Sequence, residues 1–352
     1  MKLLQVCAYT AQYGGNFIAS LLALEQRLTK RGVETMYLFP ETVADTPWCQ
    51  QLSQTRQVFF AGLNRFSYAT FRQVKEAMAQ ADIIHSHFEL YDCLCAFAKT
   101  KKQKLFWHLH DSFEENIDLP HRLINRFQYG VCGKKAVMIS PNRYYADYTV
   151  SLGFPEKNVR IVDNCIDTAR LSSGETIAKQ YDFLVFGGFY KTKGLDILMD
   201  ACRTLCKDGQ DFKLAIVGYP QTWEYLDSAY PDMACCTLRL APSENVWAFY
   251  DSAKAFLSTS RRECFSYALL EALYKKLPAI VSDIPGNQWA KRFDTAYFFE
   301  TENPEALAER MAQLLNATIR PTSQALETTA EQIEAQYSCT AWAERIEEIY
   351  FA

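Results

Sequence analysis

Short apolar runs alternate with polar or glycine turns and amphipathic stretches along the whole chain. That recurrence is the layering of a parallel α/β protein. Leu3–Ala8 reads as a buried first strand and Tyr13-Gly14-Gly15-Asn16 as a turn. Phe17–Lys30 places Ile18, Leu21, Leu22 and Leu28 at helical spacing, and Gly32 follows as a stop. Val33–Phe39 predicts a second strand. Asp82–His85, Leu105–His108 and Ala136–Ser140 are compact apolar runs that end in polar residues. In open parallel sheets ligands sit beyond the carboxyl ends of strands, so those endings are candidate chemistry.

The pattern restarts in the second half. Tyr181–Phe186 predicts a strand, Gly187-Gly188 a turn and Gly194–Leu205 a helix. Lys213–Val217, Ala255–Ser258 and Ala279–Ser282 predict further strands. Asn303-Pro304 reads as N-cap and first-turn proline of a helix reaching Leu315, and Ala341–Tyr350 as a closing amphipathic helix. Asp163–Glu175, polar and without apolar pattern, predicts a hinge. The expected division is 1–170 with a returning segment 338–352, and 171–337. A length of 352 residues also favours two α/β domains over one core.

Composition changes this picture little. The net charge of -4 argues against a dedicated nucleic-acid binder. No apolar run approaches the roughly 20 residues of a membrane span, and Met1–Val6 reads as strand, not signal peptide. The 12 cysteines include no CxxC pair, so reduced, buried thiols in the cytoplasm are expected.

The sharpest chemical signal is Arg262-Glu263-Cys264-Phe265-Ser266-Tyr267-Ala268-Leu269-Leu270-Glu271. It follows the strand Ala255–Ser258, which places Glu263 in a turn and predicts helix from Phe265 onward. Amides near Cys264, Phe265 and Ser266 would then be free to hold a diphosphate. Were both acids helical, Glu263 and Glu271 would stand about 12 Å apart, too far to share a proton. Spacing alone leaves a second reading open, with both glutamates on the surface.

These residues resemble the E-x7-E motif of glycosyltransferase family 4, retaining enzymes of GT-B fold. The resemblance runs nearly the length of the chain. Tyr13–Asn16 is similar to the family's glycine loop, Asp82-Ile83-Ile84-His85-Ser86-His87 to its D-h-h-H-x-H strand, and His108–Asp111 to its H-D strand end. Val162–Asp167 resembles P-N-G-I-D, Phe186–Gly194 the G-R-h-x-x-x-K-G segment, Leu277–Ile280 G-x-P-V, and Ile284–Gly286 x-G-G. The fold implied is two Rossmann-like domains facing across a cleft, with the last helix crossing back to the first.

What the resemblance implies for single residues is specific. Glu271 matches the acid on the donor ribose, Glu263 the acid on the donor sugar, and Lys193 the cation on the diphosphate. Gly14 and Gly15 would admit donor or acceptor backbone-close, and His110 would lie near sugar and acceptor. No resident metal or cofactor is implied, the nucleotide-sugar being a substrate. The family's arginine five residues before the lysine is Gly188 here, with Lys191 as candidate stand-in.

All five histidines, 85, 87, 108, 110 and 121, fall in one stretch, and two H-x-H pairs raise a metal site. No third ligand stands at useful spacing, so strand-end polar residues are the preferred reading. Lys99, Lys101, Lys102, Lys104, Arg122, Arg126, Lys134 and Lys135 are interleaved with aromatics. They read either as solvated surface or as a face for an anionic membrane. The expected function is transfer from a nucleoside-diphosphate sugar, uridine first, to a glycan or lipid-linked acceptor in bacterial surface polysaccharide assembly. The expected place is the cytoplasm or the inner face of its membrane. A non-catalytic binding subunit and a nucleotide-sugar epimerase are the rivals.

Overall fold

The computed structural model describes residues 1–113, 118–172 and 177–352. Part of the expected hinge, 173–175, lies outside them. The chain forms two compact units, Met1–Cys165 with Cys339–Ala352, and Ile166–Ser338.

The first unit holds β1 (Lys2–Cys7), α1 (Gly15–Thr29), β2 (Glu34–Pro40), α2 (Pro47–Ser53), β3 (Val58–Ala61), α3 (Tyr68–Met78) and β4 (Ile83–His87). It continues through α4 (Asp92–Ala98), β5 (Lys104–His108), α5 (Leu119–Gly130), β6 (Val137–Ser140), α6 (Arg143–Ser151) and β7 (Val159–Ile161). The seven strands are parallel, in the order β3-β2-β1-β4-β5-β6-β7. β1 and β4 are buried on both faces, which is why they read as continuous apolar runs.

The second unit holds β8 (Tyr181–Phe186), α7 (Leu195–Lys207), β9 (Leu214–Val217), α8 (Pro220–Ala229), β10 (Thr237–Leu240), α9 (Val246–Asp251) and β11 (Ala253–Ser258). Then come α10 (Tyr267–Tyr274), β12 (Ala279–Ser282), β13 (Ala296–Phe299), α11 (Pro304–Leu315) and α12 (Ser323–Tyr337). Its sheet is parallel too, ordered β10-β9-β8-β11-β12-β13. The last helix, α13 (Cys339–Phe351), belongs to the first unit and packs on α1.

Each sheet reverses its strand order once, at β1/β4 and at β8/β11. The loops leaving those carboxyl ends, Ala8–Gly14 and Phe88–Tyr91 in one unit, Gly187–Gly194 and Thr259–Ser266 in the other, therefore flank the ligand-binding crevice of each sheet.

One boundary corrects the sequence reading. The helix after Glu263 starts at Tyr267, not Phe265. Ser266 stays extended (φ -81°, ψ 101°) and its hydroxyl accepts from the Leu269 amide at 3.4 Å, so Ser266 is the N-cap. The amide-rich turn is thus Tyr267–Leu269. Gly15, expected in a turn, opens α1 with φ +54°.

Candidate functional site

In the second unit, Gly187 and Gly188 leave β8 under tight packing. A Cβ on Gly187 would meet Leu195 at 2.8 Å, and one on Gly188 would meet the Tyr219 ring at 3.2 Å. The Tyr219 ring thus crowds the point from which the family's arginine would project. The next turn ends at Gly194 (φ +63°), where a Cβ would stand 2.2 Å from the Thr259 carbonyl, so only glycine fits.

That approach locks the 191–193 loop to the end of β11. Thr259 Oγ1 donates to the Lys193 carbonyl at 2.7 Å, and the Arg261 amide donates to Thr192 at 2.8 Å. The Arg261 guanidinium donates to the Lys191 carbonyl at 2.7 Å and forks onto Asp196 at 2.7 and 2.8 Å and Glu302 at 2.5 and 2.9 Å. Sequence reading passed over Arg261, whose partners lie 41 to 70 residues away. Lys191 itself is exposed.

Held in this way, Lys193 Nζ lies 2.5 Å from Glu263 Oε1, which also accepts from Ser260 Oγ at 2.7 Å. The two residues assigned to separate parts of one ligand are paired with each other. Glu263 is fixed from behind as well, since a Cβ on Gly286 would stand 1.9 Å from its carbonyl oxygen.

Glu271 is 4% exposed and not a surface acid. Its carboxylate accepts from the Arg170 guanidinium and, at 2.6 Å, from the Tyr250 hydroxyl. Burial and then the Glu271 charge push the Tyr250 phenol well up, which keeps it the donor. Cys264 and Phe265 are buried, Phe265 stacking on Trp289 at 4.9 Å, and the Ser266 side chain is committed to the helix cap. Those three have their side chains turned to the interior.

In the first unit, Tyr9 donates its hydroxyl to the carbonyls of Tyr13 (2.8 Å) and Gly14 (3.2 Å), fixing the loop before α1. His110 Nε2 lies 3.0 Å from His87 Nδ1, and its ring stacks on Phe88 at 4.3 Å with Phe17 edge-on at 5.4 Å. The aromatic surround of Tyr9, Phe17 and Phe88 was not legible from spacing.

Parallel pairing of His87 with His108 supplies the third histidine that sequence spacing lacked. One ring nitrogen each of His85, His87 and His108 lie within 4.8 Å of one another. However, both nitrogens of His87 are engaged, by His110 and by Gln5 at 2.8 Å, and His85 Nδ1 meets Tyr350 at 2.5 Å. The rings also stack nearly parallel, His85 on His108 at 12° and His87 on His108 at 27°. Both nitrogens of His108 and Nε2 of His85, by contrast, are buried without a hydrogen-bond partner among the described residues. Burial pushes all four histidines down, His108 to about 3, so they are neutral at pH 7.

The profile "Glycosyltransferase Family 4" matches residues 19–170 and "Glycosyl transferases group 1" matches 169–333. A structure of Anabaena Alr3699/HepE in complex with UDP superposes with TM-score 0.81 at 15% identity, over 99% of both chains. A glycosyltransferase from Rickettsia africae ESF-5 gives 0.79 at 14%, over 99% of this chain and 97% of that one. Residues 19–333 thus join a family 4 half to a group 1 half, in the GT-B fold of these glycosyltransferases. In sequence it is similar to the serotype-specific mannosyltransferase WbdA of Escherichia coli, at 30% over 146 residues, 38% of this chain and 17% of WbdA. It is 29% identical to the D-rhamnosyltransferase WbpZ of Pseudomonas aeruginosa over 240 residues, 62% of this chain and 60% of WbpZ. The chain therefore matches only part of the length of either relative.

Proposed function

We propose that the chain transfers a sugar, with retention, from a nucleoside-diphosphate sugar to a hydroxyl of a glycan or lipid-linked acceptor in bacterial surface polysaccharide assembly. The observation that carries this is the Lys193–Glu263 pair at the strand-order reversal of the second sheet. An incoming diphosphate competes with Glu263 for the Lys193 ammonium, and the freed carboxylate turns to the donor sugar's hydroxyls. As the sugar departs, negative charge grows on the diphosphate, where Lys193 and the amino-terminal end of α10 are the groups that stabilise it. Glu271, held by Arg170 and Tyr250, takes the ribose hydroxyls. In the first unit, the Gly14-Gly15 turn and His110 serve the acceptor and the sugar. Uridine diphosphate is the first carrier to test, because Alr3699/HepE was solved with UDP and with UDP-glucose. Relatives named for serotype-specific mannosyl transfer and amylovoran biosynthesis support a polysaccharide acceptor.

Thermal unfolding of the full chain against UDP, GDP, ADP and their sugars tests the donor site, since a ligand bound only to the folded state raises the midpoint. At least one nucleotide should give a rise of several degrees. Lys193→Ala should abolish that rise, whereas Glu263→Gln should keep it and lose sugar transfer by about 100-fold or more. No response to any nucleotide sinks the reading. Gly188 in place of arginine favours a binding subunit as second reading; a nucleotide response with no turnover on any acceptor would establish that instead. Donor conversion without acceptor would point to an epimerase.

A further inference from the structure

Helix α5 turns its apolar side away from its own unit. Leu119, Leu123, Ile124 and Phe127 are 41% to 69% exposed, and within the helix only Gln128 and Tyr129 are buried. Leu119, Leu123 and Phe127 follow one another at four-residue spacing and continue into exposed Val131, which makes one stripe. Exposed Phe97, at the end of α4, extends it, with its ring 6.2 Å from that of Phe127. Lys135 binds the two elements, donating to the Ala96 carbonyl at 2.9 Å with its ammonium 5.9 Å over the Phe97 ring. A monomer rarely leaves so continuous an apolar surface uncovered.

From Leu119 onward the charge around the stripe is positive. Arg122 and Arg126 lie on α5, Lys134 and Lys135 in the turn after it, and Lys99, Lys101 and Lys102 beyond α4. From Cys93 to His110 and from Leu119 to Ala146 there is no Asp or Glu, although the chain as a whole carries -4. Among the described residues none of these seven cations pairs with a carboxylate. The acids that bound these stretches are buried Asp92, exposed Asp111, Asp118, which caps α5 through the His121 amide, and Asp147, paired with Arg143; Glu114 and Glu115 lie outside the described residues.

We infer that this face docks on an anionic lipid bilayer, α5 lying in the interface with its leucines and Phe127 among the acyl chains and its cations at the headgroups. A second copy of the chain is the poorer occupant: a two-fold pairing would set Arg122, Arg126, Lys134 and Lys135 against their own duplicates. No helix among the described residues is long and apolar enough to cross a membrane, so the contact is peripheral. Such docking would hold the enzyme where a lipid-linked acceptor is presented, which rests on the transferase reading above; the docking itself does not.

Flotation of the full chain with vesicles tests it. Binding is expected to phosphatidylglycerol-containing vesicles and not to pure phosphatidylcholine, and it should fall with salt. Arg122→Gln with Arg126→Gln should lower partitioning about 30-fold, at roughly 1 kcal/mol per cation. Leu123→Ser with Phe127→Ser should lower it at least about ten-fold at any salt. These side chains are exposed, so the thermal midpoint and any nucleotide response should stay unchanged, and those readouts report on the donor site separately. Equal flotation of wild type and both double variants overturns the inference, as does no binding to either vesicle. So does wild-type self-association, seen in sedimentation, that Leu123→Ser with Phe127→Ser disperses.

Discussion

Phe88 and Glu89 hold φ of 62° and 56° in succession, a left-handed stretch that non-glycine residues rarely adopt, at the carboxyl end of β4. The turn encloses the Glu89 carboxyl oxygen Oε1 without a hydrogen-bond partner. Burial, then the charges of Asp92 and Asp111, raises this acid to about 8, and burial raises Asp92 to about 7. The folded state thus binds these protons more tightly than the unfolded chain. Stability is full below the unfolded value near 4.5, falls as pH rises toward about 8, and is level above it. Glu89→Gln should flatten much of that slope, leaving the part due to Asp92, and should stabilise the protein above pH 8 by about a few kcal/mol. Denaturant midpoints at pH 6 and pH 8.5 check this; an unchanged slope in the variant would refute it. Nothing in the sequence marked Glu89. Motif position did mark Lys193, Glu263 and Glu271, but their partners could not be read there. Arg170 is 101 residues from Glu271 and Lys193 is 70 from Glu263, so each pairing exists only through the fold.

Elements with local signals were the legible ones. Asn303 caps α11 by accepting the Ala306 amide at 2.9 Å, Pro304 opens it, and the helix ends at Leu315 as spacing predicted. The α10 start was misplaced because the apolar Phe265 extends the helical pattern, while its ring serves the core with Trp289 and Tyr337. β3, β7, β10 and β13 escaped notice: they are the edge strands of the two sheets and only partly buried, so none reads as the continuous apolar run of the equally short but buried β9 and β12. The turn after β12 gives this scale its prediction. Gly286→Ala would force a Cβ to within 1.9 Å of the Glu263 carbonyl and 2.9 Å of the Glu263 Cβ, so the loop carrying Glu263 must shift. Displacement near 1 Å should lower sugar transfer about 100-fold. Gly32→Ala is the control. Gly32 has φ +70° but nothing within 4 Å, so it should lose only about 1 to 2 kcal/mol of stability and no activity per folded molecule. Equal activity of the two variants would break the link between Gly286 and Glu263.

At the scale of the whole molecule, the order of motifs along the chain conveyed the two-sheet architecture, because each motif sits at a strand end that the fold must place. Sequence order is not unit membership, however. α13 follows the second unit in the chain yet completes the core of the first, where Trp342, Ala343, Ile346 and Tyr350 pack with Leu3, Leu24, Leu28, Phe106 and Ile139. Glu347, 4% exposed, accepts from Arg27 and, at 2.5 Å, from Arg31, and the Tyr350 carbonyl accepts from Lys104 at 2.9 Å. Burying each large apolar side chain is worth about 1.5 to 3 kcal/mol, so losing this helix removes an amount comparable to the roughly 5 to 15 kcal/mol that stabilises a whole domain. Deleting residues 339–352 should therefore unfold the first unit while leaving the second, whose core draws on none of these residues. Calorimetry of the deletion variant should show one transition of reduced enthalpy, and hydrogen exchange should find protection in β8 to β12 but not in β1 to β6. Any nucleotide that stabilises the full chain should still shift that remaining transition, since Lys193, Glu263 and Glu271 all lie in the second unit. Wild-type protection of β1 and β4 in the deletion variant would show that α13 only decorates the first unit.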